Sequence, residues 1–545
     1  MPLALSSPAT VAPVTHEPDV AADANWRANV AALTGTQPAL VPLLSQAPVD
    51  ATWLYARDGT LTARSPGGAW WGGCSVPAAA AKAMLKSFVG AGTVACFLRP
   101  PSAAAVRVAL DKLRPHQGLV VLVPDAAAMR VMLHCENFAA DLRAHRLWLV
   151  TGADWEARLA TLLRENDGLP TPTQFVRLND GDEELAEAMI APAQRVFSDI
   201  TQHRATAIRQ FHDARWTGTT AGACVIAPTH FRLWDDAGHT LARLAGELGW
   251  HHVDPDNPAC ASPLAMARAA SACAAVIMPN TSRADLPNVV SIALPWITWV
   301  TSARVPAFAG AGPGDALIVA DPAWRDAAIA GGWPGPRVHV ATWPAAGTPA
   351  AKATGPLLIC ADLHPPNPPK EVVEMSSQRL LWEAISQELT GDPFVLGACI
   401  VDYLHTRMKR LNIAALDQRR FVDELIVPAY ARGLADLLRR NGLPLRLVGA
   451  GWDAAQMFKP FATGPVTTRE AFDEAIASAA ALVHVSPITG GHPIHHAGRP
   501  VVCPSSGRDR FLRDARAALA GKLPLVRPLM PALTPALLAR LVSEC

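Results

Sequence analysis

Short apolar runs alternate with amphipathic stretches along most of this chain. Thr93–Leu98, Gly118–Val123 and Arg146–Val150 are brief apolar runs of the strand type, and Ala103–Leu113 and Ala126–Leu142 carry helical spacing between them. A hairpin pattern, Thr52–Arg64, precedes them and is followed by a glycine-rich patch, Gly67–Gly73. A second series has strand patterns at Ala223–Ala227, Trp250–Val253, Ala274–Met278, Val289–Ala293, Ala316–Val319 and Val338–Val340, with a helix at Ala237–Leu248. A third opens with the apolar run Leu357–Asp362 and continues through helical sequence over Lys370–Arg440. An apolar strand starting at Leu443 then ends in Gly449-Ala450-Gly451-Trp452. A helical segment containing Glu470, Ala471 and Phe472 leads to a strand at Ala480–Val485, which empties into Ser486–Val502. Strands that alternate with helices build parallel sheets covered by helices.

The breaks in the pattern divide the chain. Its 545 residues exceed what one core organises. The expected parts are a disordered tail (1–24), an α/β domain (25–181), a helical connector (182–220), a Rossmann-like domain (221–350) and a second Rossmann-like domain (351–545). Pro344–Pro356, rich in Ala, Pro, Thr and Gly, is the expected linker between the last two.

Composition narrows the function classes. Half the residues are apolar and 17% are charged, ordinary values for a globular protein. A net charge of +1 argues against a nucleic-acid partner. The ten cysteines are scattered singly with no CxxC, so reduced thiols in a cytoplasmic protein are expected, without a disulfide framework or a zinc site. Met1–Asp19 lacks the basic and apolar regions of a signal peptide, and no run of about 18 apolar residues predicts a membrane span. The sequence leaves homo-oligomerisation open.

Candidate chemistry sits where strands end. Gly449 and Gly451 after one strand, and Gly490 and Gly491 after the next, are positions where backbone can approach a phosphate and a following helix can offer free N–H groups. Tight strand-to-helix turns would need the same glycines. In open α/β sheets ligands sit beyond the carboxyl ends of strands, so the loops 228–232, 280–283, 362–366, 449–453 and 487–499 are the ones to inspect.

The second and third series together resemble GT-B glycosyltransferases, with the CgeB-like group the nearest in flavour. Three motifs carry the resemblance: a strand followed by Gly449-Ala450-Gly451-Trp452; Ser486-Pro487-Ile488-Thr489-Gly490-Gly491 closing with Ala497-Gly498-Arg499-Pro500-Val501-Val502; and Ala316-Leu317-Ile318-Val319-Ala320-Asp321 with Gly331 and Gly332 after it. It covers about 325 residues, from Ala221 to the end. It implies an α/β fold of two facing Rossmann-like domains, here preceded by a further α/β domain. It also implies a nucleotide-sugar donor, of UDP or GDP type, held in the C-terminal half, with no tightly bound cofactor. The acceptor would be a protein, peptide or glycan. Many retaining enzymes of this type hold the ribose with a Glu in the late motif; this chain has His495 and His496 there. The first series is more faintly similar to the N-terminal region of Maf-type flagellin glycosyltransferases, through Val120–Asp125 and Arg146–Gly152. Its strand ending Cys96-Phe97-Leu98-Arg99-Pro100-Pro101 carries prolines where a cofactor site would carry glycines.

The resemblance places the donor against Gly449, Gly451, Trp452, Thr489, Gly490, Gly491, His492, His495, His496 and Arg499. Arginine there, with Arg508 nearby, would neutralise a departing diphosphate without a metal; no carboxylate or thiolate joins the histidines at a metal-ligand spacing. His230 and Asp362, each just past a strand, are the candidates for a base that deprotonates an acceptor hydroxyl. A structural role for each is the competing reading. Trp296, Trp299 and Trp452 lie near strand ends, where they would stack on a sugar or fill the core. Two further classes stay open: a catalytically silent binder of glycan or protein, and an enzyme using a cofactor in the first domain.

Overall fold

The structure, a computed structural model, describes residues 17–544 except 91, 115, 177, 179–182, 214–221, 230–236, 288, 302–304, 345–354, 364–371, 373–374, 398–399, 414–415, 417–420, 486–498, 505–506 and 525–530. It is a mixed α/β protein whose parallel sheets are flanked by helices in Rossmann-like fashion. The chain falls into two compact units. One comprises residues 1–214 with 254–268, and the other 215–253 with 269–545.

In the first unit four parallel strands stand in the order Leu147–Thr151, Gly118–Val123, Val94–Leu98, Gln174–Val176. The apolar runs are unbroken because both sheet faces are covered. Leu119 and Val121 point into one core with Ala105, Val106, Met129 and Leu133. Val120 and Leu122 point into another with Trp155, Leu159, Leu163, Ala193 and Phe197. The hairpin forms as expected, Thr52–Tyr55 pairing antiparallel with Leu61–Arg64.

Four local expectations change here. A helix, Pro18–Thr36, begins inside the stretch read as tail; Pro18 supplies its preset φ at the first turn and Ala22 is fully buried. The stretch 126–142 is two helices, Ala126–Cys135 and Ala139–Arg143. Asn29, more than a hundred residues earlier, causes the break: its Nδ2 donates to Leu133 O and Glu136 O, each at 2.8 Å, and its Oδ1 accepts from Phe138 N at 2.8 Å. These bonds satisfy backbone groups that a continuous helix would have paired internally. The strand Gln174–Val176 goes unread in the sequence because it is too short to show a period. The helix Glu183–Asp213, expected as a connector, lays Met189, Ala193, Phe197 and Ile200 on the sheet, and its buried Arg204 donates to Leu163 O and Leu169 O, each at 2.6 Å.

The second unit holds two parallel sheets. The first has six strands in the order Val338–Val340, Ala316–Val319, Trp296–Val300, Ala275–Pro279, Ala223–Ile226, His251–Val253. The strand expected at Val289–Ala293 is absent; Trp296–Val300 takes its place. The buried guanidinium of Arg283 takes the carbonyls of Ser291 and Leu294, which bends this segment out of strand geometry. The same guanidinium meets Asp315 at 2.9 and 2.8 Å, and Asp315 also accepts Trp296 N and Gly312 N.

The second sheet has four strands in the order Leu445–Val448, Leu357–Cys360, Ala481–Val483, Val501–Val502. Leu357 and Ile359 face a helical layer that includes Ser376–Gly391 and Val427–Arg440; Leu358 and Cys360 face Phe472 and Ile476 of the helix Arg469–Ala477. The last helix, Pro535–Glu544, does not pack here. Its Leu538 and Leu541 enter the core of the six-stranded sheet, and a bridge pairs Thr342 with Ala532.

Candidate functional site

Strand order locates the crevices. In the four-stranded sheet of the second unit, the chain first steps from Leu357–Cys360 outward to Leu445–Val448. It then crosses back to Ala481–Val483 on the opposite side of its starting strand. The connections thus reverse between Leu357–Cys360 and Ala481–Val483, and the carboxyl ends of two such strands open a ligand crevice. Asp362 stands past the end of one of them and His484 past the end of the other. The loop that carries Thr489, Gly490, Gly491, His492, His495 and His496 leaves from the second; those six residues lie outside the described residues.

The glycine turn after Leu445–Val448 packs against the same strand end. Ala361 N donates to Val448 O and Leu363 N to Ala450 O, both at 2.8 Å, so the two chains stay paired beyond the sheet. Gly449 has φ 133° and Gly451 φ 83°. A Cβ on Gly449 would collide with Ala361 O, and one on Gly451 with Leu363 O. Both glycines are therefore required by backbone meeting backbone, whatever else the loop does. Asp362 Oδ1 accepts the Ala450 amide at 2.7 Å. Trp452 is wholly buried, donates its indole N–H to Ala361 O, and meets Phe458 edge-on at 5.2 Å between centroids. Its ring belongs to the core and offers no face to a ligand.

Arg499 follows the late loop, and its side chain is also buried: its Nη2 donates to Ala477 O, the last carbonyl of the helix Arg469–Ala477, where a cation complements the negative end of the dipole. Arg508 is half-exposed and pairs with Asp392 at 3.1 Å. His484, which the sequence reading passed over, is 2% exposed, and its amide donates to Val502 O at 3.0 Å.

The six-stranded sheet reverses in the same way, between Ala223–Ile226 and Ala275–Pro279. His230 belongs to the loop after the first of these and lies outside the described residues. Around it, Gly238 lets the following helix sit on Pro228, where a Cβ would come within 2.5 Å of the proline ring, and His239 Nδ1 lies 3.1 Å from Thr229 O. Past the second strand, Asn280 adopts φ 52° and clasps Thr301, its Nδ2 donating to Thr301 Oγ1 at 2.6 Å and its Oδ1 accepting Thr301 N at 2.7 Å. Trp296 and Trp299 are fully buried, with indole N–H groups bonded to Thr281 O and Ala341 O. They fill the core.

In the first unit the reversal lies between Val94–Leu98 and Gln174–Val176. Arg99, at φ 41°, turns the chain there, and Gly72 of the glycine-rich patch packs on Pro101-Ser102, where a Cβ would lie 2.5 Å from Pro101 O. The glycine-rich patch therefore packs against the loop that follows Val94–Leu98.

Among the described residues no group of three or more His, Cys, Asp or Glu is arranged to hold a metal ion. No helix among them is long and apolar enough to cross a membrane.

No family model matches the sequence, and no curated protein does. A solved structure of the MAf glycosyltransferase from Magnetospirillum magneticum AMB-1 is similar with 14% sequence identity and a TM-score of 0.24. The similarity covers 59% of this chain and 57% of that one, so it spans less than two thirds of the other protein.

Proposed function

We propose that the chain is a glycosyltransferase that moves a sugar from a nucleotide-sugar donor to a protein, peptide or glycan acceptor. The supporting observation is the reversal of strand order at Leu357–Cys360 and Ala481–Val483, which opens a crevice at the root of the loop bearing Gly490 and Gly491. In this reading the donor diphosphate lies against Thr489–His496, and Arg499 anchors the far end of that loop through Ala477 O. An acceptor oxygen bonds to the anomeric carbon as the carbon–diphosphate bond breaks, and its proton passes to His230 or Asp362. Backbone amides stabilise the departing diphosphate. The donor is a substrate of UDP or GDP type, and no tightly bound cofactor is needed. The two sheets of the second unit act as the two Rossmann-like halves of a GT-B enzyme.

A second reading rests on Asp362. Its carboxylate already takes the Ala450 amide, which places negative charge beside the glycine turn and uses a donor that a diphosphate would need. A catalytically silent protein that binds glycan or a protein partner fits that arrangement.

A thermal-shift panel of UDP, GDP, CMP, dTDP and S-adenosylmethionine separates the two, because a ligand that binds only the folded state raises the midpoint. The transferase reading expects a rise with one nucleotide diphosphate, abolished by Gly490→Asp, and turnover of the matching nucleotide-sugar. Binding without turnover supports the silent protein, and no rise with any nucleotide overturns the donor site.

A further inference from the structure

Four flat side chains from three elements stack in the first unit. Arg130 and His134 stand one turn apart on the helix Ala126–Cys135, and both lie against Trp26 of the helix Pro18–Thr36. The guanidinium is 4.9 Å from the centroid of the indole, and the imidazole stacks on it at 5.0 Å with 9° between the planes. The imidazole also stacks on Trp53 of the strand Thr52–Tyr55, at 4.8 Å and 24°. Arg130 is fixed from behind: its Nη1 donates to Ser45 O at 3.0 Å and Ala47 O at 2.6 Å. Asn25 Nδ2 donates to His134 O at 3.1 Å, so the helix Pro18–Thr36 meets both the ring and the backbone of that residue.

His134 is 5% exposed, and neither ring nitrogen has a hydrogen-bond partner among the described residues. A neutral imidazole leaves one N–H and one lone pair unmatched there; an imidazolium would leave two N–H groups and a charge. The indole faces favour a cation, but Trp26 already serves the guanidinium. Arg130 and, with opposite sign, Asp23 of the helix Pro18–Thr36 are the charges that act on the ring. Asp19 and Arg27 of that helix are exposed. The strand Thr52–Tyr55 adds only the phenol of Tyr55, and Leu40–Gln46 and Gly118–Val123 add no ionisable group. Arg64 of the hairpin stacks over Trp70 at 4.1 Å. On the helix Ala103–Lys112, Arg107 pairs with Glu136 and Asp141, Lys112 donates to Leu85 O and Asp111 is exposed.

We infer that this stack is an acid-operated latch, which holds residues 18–28 of the helix Pro18–Thr36 on the hairpin until His134 takes up a proton. Opening exposes the ring to water, which accepts both N–H groups and separates the two cations. The release stops at Asn29, whose three bonds to Leu133, Glu136 and Phe138 involve no titrating group. The latch does not depend on what either crevice of the second unit binds.

The test is amide hydrogen exchange of the full-length protein at pH 7.5 and pH 5.0, read by mass spectrometry and corrected for the pH dependence of chemical exchange. Protection over residues 18–28 should fall by roughly tenfold or more at the lower pH, because the open form binds the proton more tightly than the closed one. Protection in the helix Ala237–Leu248 should not follow it. His134→Phe keeps a flat ring between the indoles and cannot titrate, so its protection over 18–28 should be nearly the same at both pH values. His134→Leu serves in its place if the phenylalanine variant does not fold. Unchanged protection over 18–28 in the wild type overturns the inference, and so does a loss of equal size in the folded variant.

Discussion

The Asp362 carboxylate accepts the backbone N–H of Ala450 at 2.7 Å, tying together the ends of two neighbouring parallel strands. The bond gives Asp362 a structural task beside the catalytic one proposed for it. The two separate by substitution. Asp362→Ala should cost no more than about 1 kcal/mol in a urea titration, because the Ala450 amide it frees lies in reach of water. Asp362→Asn keeps an acceptor oxygen and should lose little stability. If the carboxylate is the base, Asp362→Asn lowers transferase turnover on the order of a hundredfold or more; unchanged turnover in a stable Asn variant removes it from the chemistry.

The glycine turn should respond to side chains by position. Gly451→Ala combines a positive φ with a collision at Leu363 O, and should cost about 2–4 kcal/mol. Gly464→Ala meets nothing within 4 Å at φ 85° and should cost only about 1 kcal/mol. Equal chemical-denaturation midpoints for the two variants would contradict the close approach at Gly451.

The first unit should weaken in mild acid. The His134 imidazole is stacked between two indoles, 5.0 Å from Trp26 and 4.8 Å from Trp53. Burial, and then the nearby Arg130, hold its pKa below 6.5, with the neighbouring Ala22 backbone and the charge of Asp23 pulling the other way. With the folded value depressed, the unfolded chain takes up the proton first. This contribution is harmless above about pH 6.5 and destabilises progressively as pH falls through that value toward the folded pKa. Thermal midpoints measured across this range should fall less steeply in His134→Phe than in the wild type.

The pair Arg283–Asp315 should be costly to halve. The side chains are 7% and 2% exposed, and Asp315 also holds the amides of Trp296 and Gly312. Asp315→Ala strands a buried guanidinium and should cost about 3–5 kcal/mol. Asp315→Asn, which retains an acceptor oxygen for one of the two amides, should cost less. A loss below about 1 kcal/mol for the alanine variant, read from denaturant midpoints, would show that water replaces the carboxylate.

The sequence by itself determined which segments become strands and helices wherever the apolar pattern is strong and local. Gly118–Val123, Ala237–Leu248 and Ala316–Val319 form where their periodicity puts them, and the alternation of strand and helix implies parallel sheets. A run such as Val289–Ala293 looks as strand-like as its neighbours, yet Arg283 claims the Ser291 carbonyl within it; a stretch that reads as one helix breaks because Asn29 replaces its internal bonds. The two glycines after Leu445–Val448 were visible as a turn, but not the backbone of 361–363 that requires them. Nor was it visible that Trp452 and Arg499 point inward, or that the connections reverse beside Asp362. Periodicity records the environment of each element one at a time. Strand order and hydrogen-bond partners depend on residues tens to hundreds of positions apart, which only the closed tertiary structure brings together.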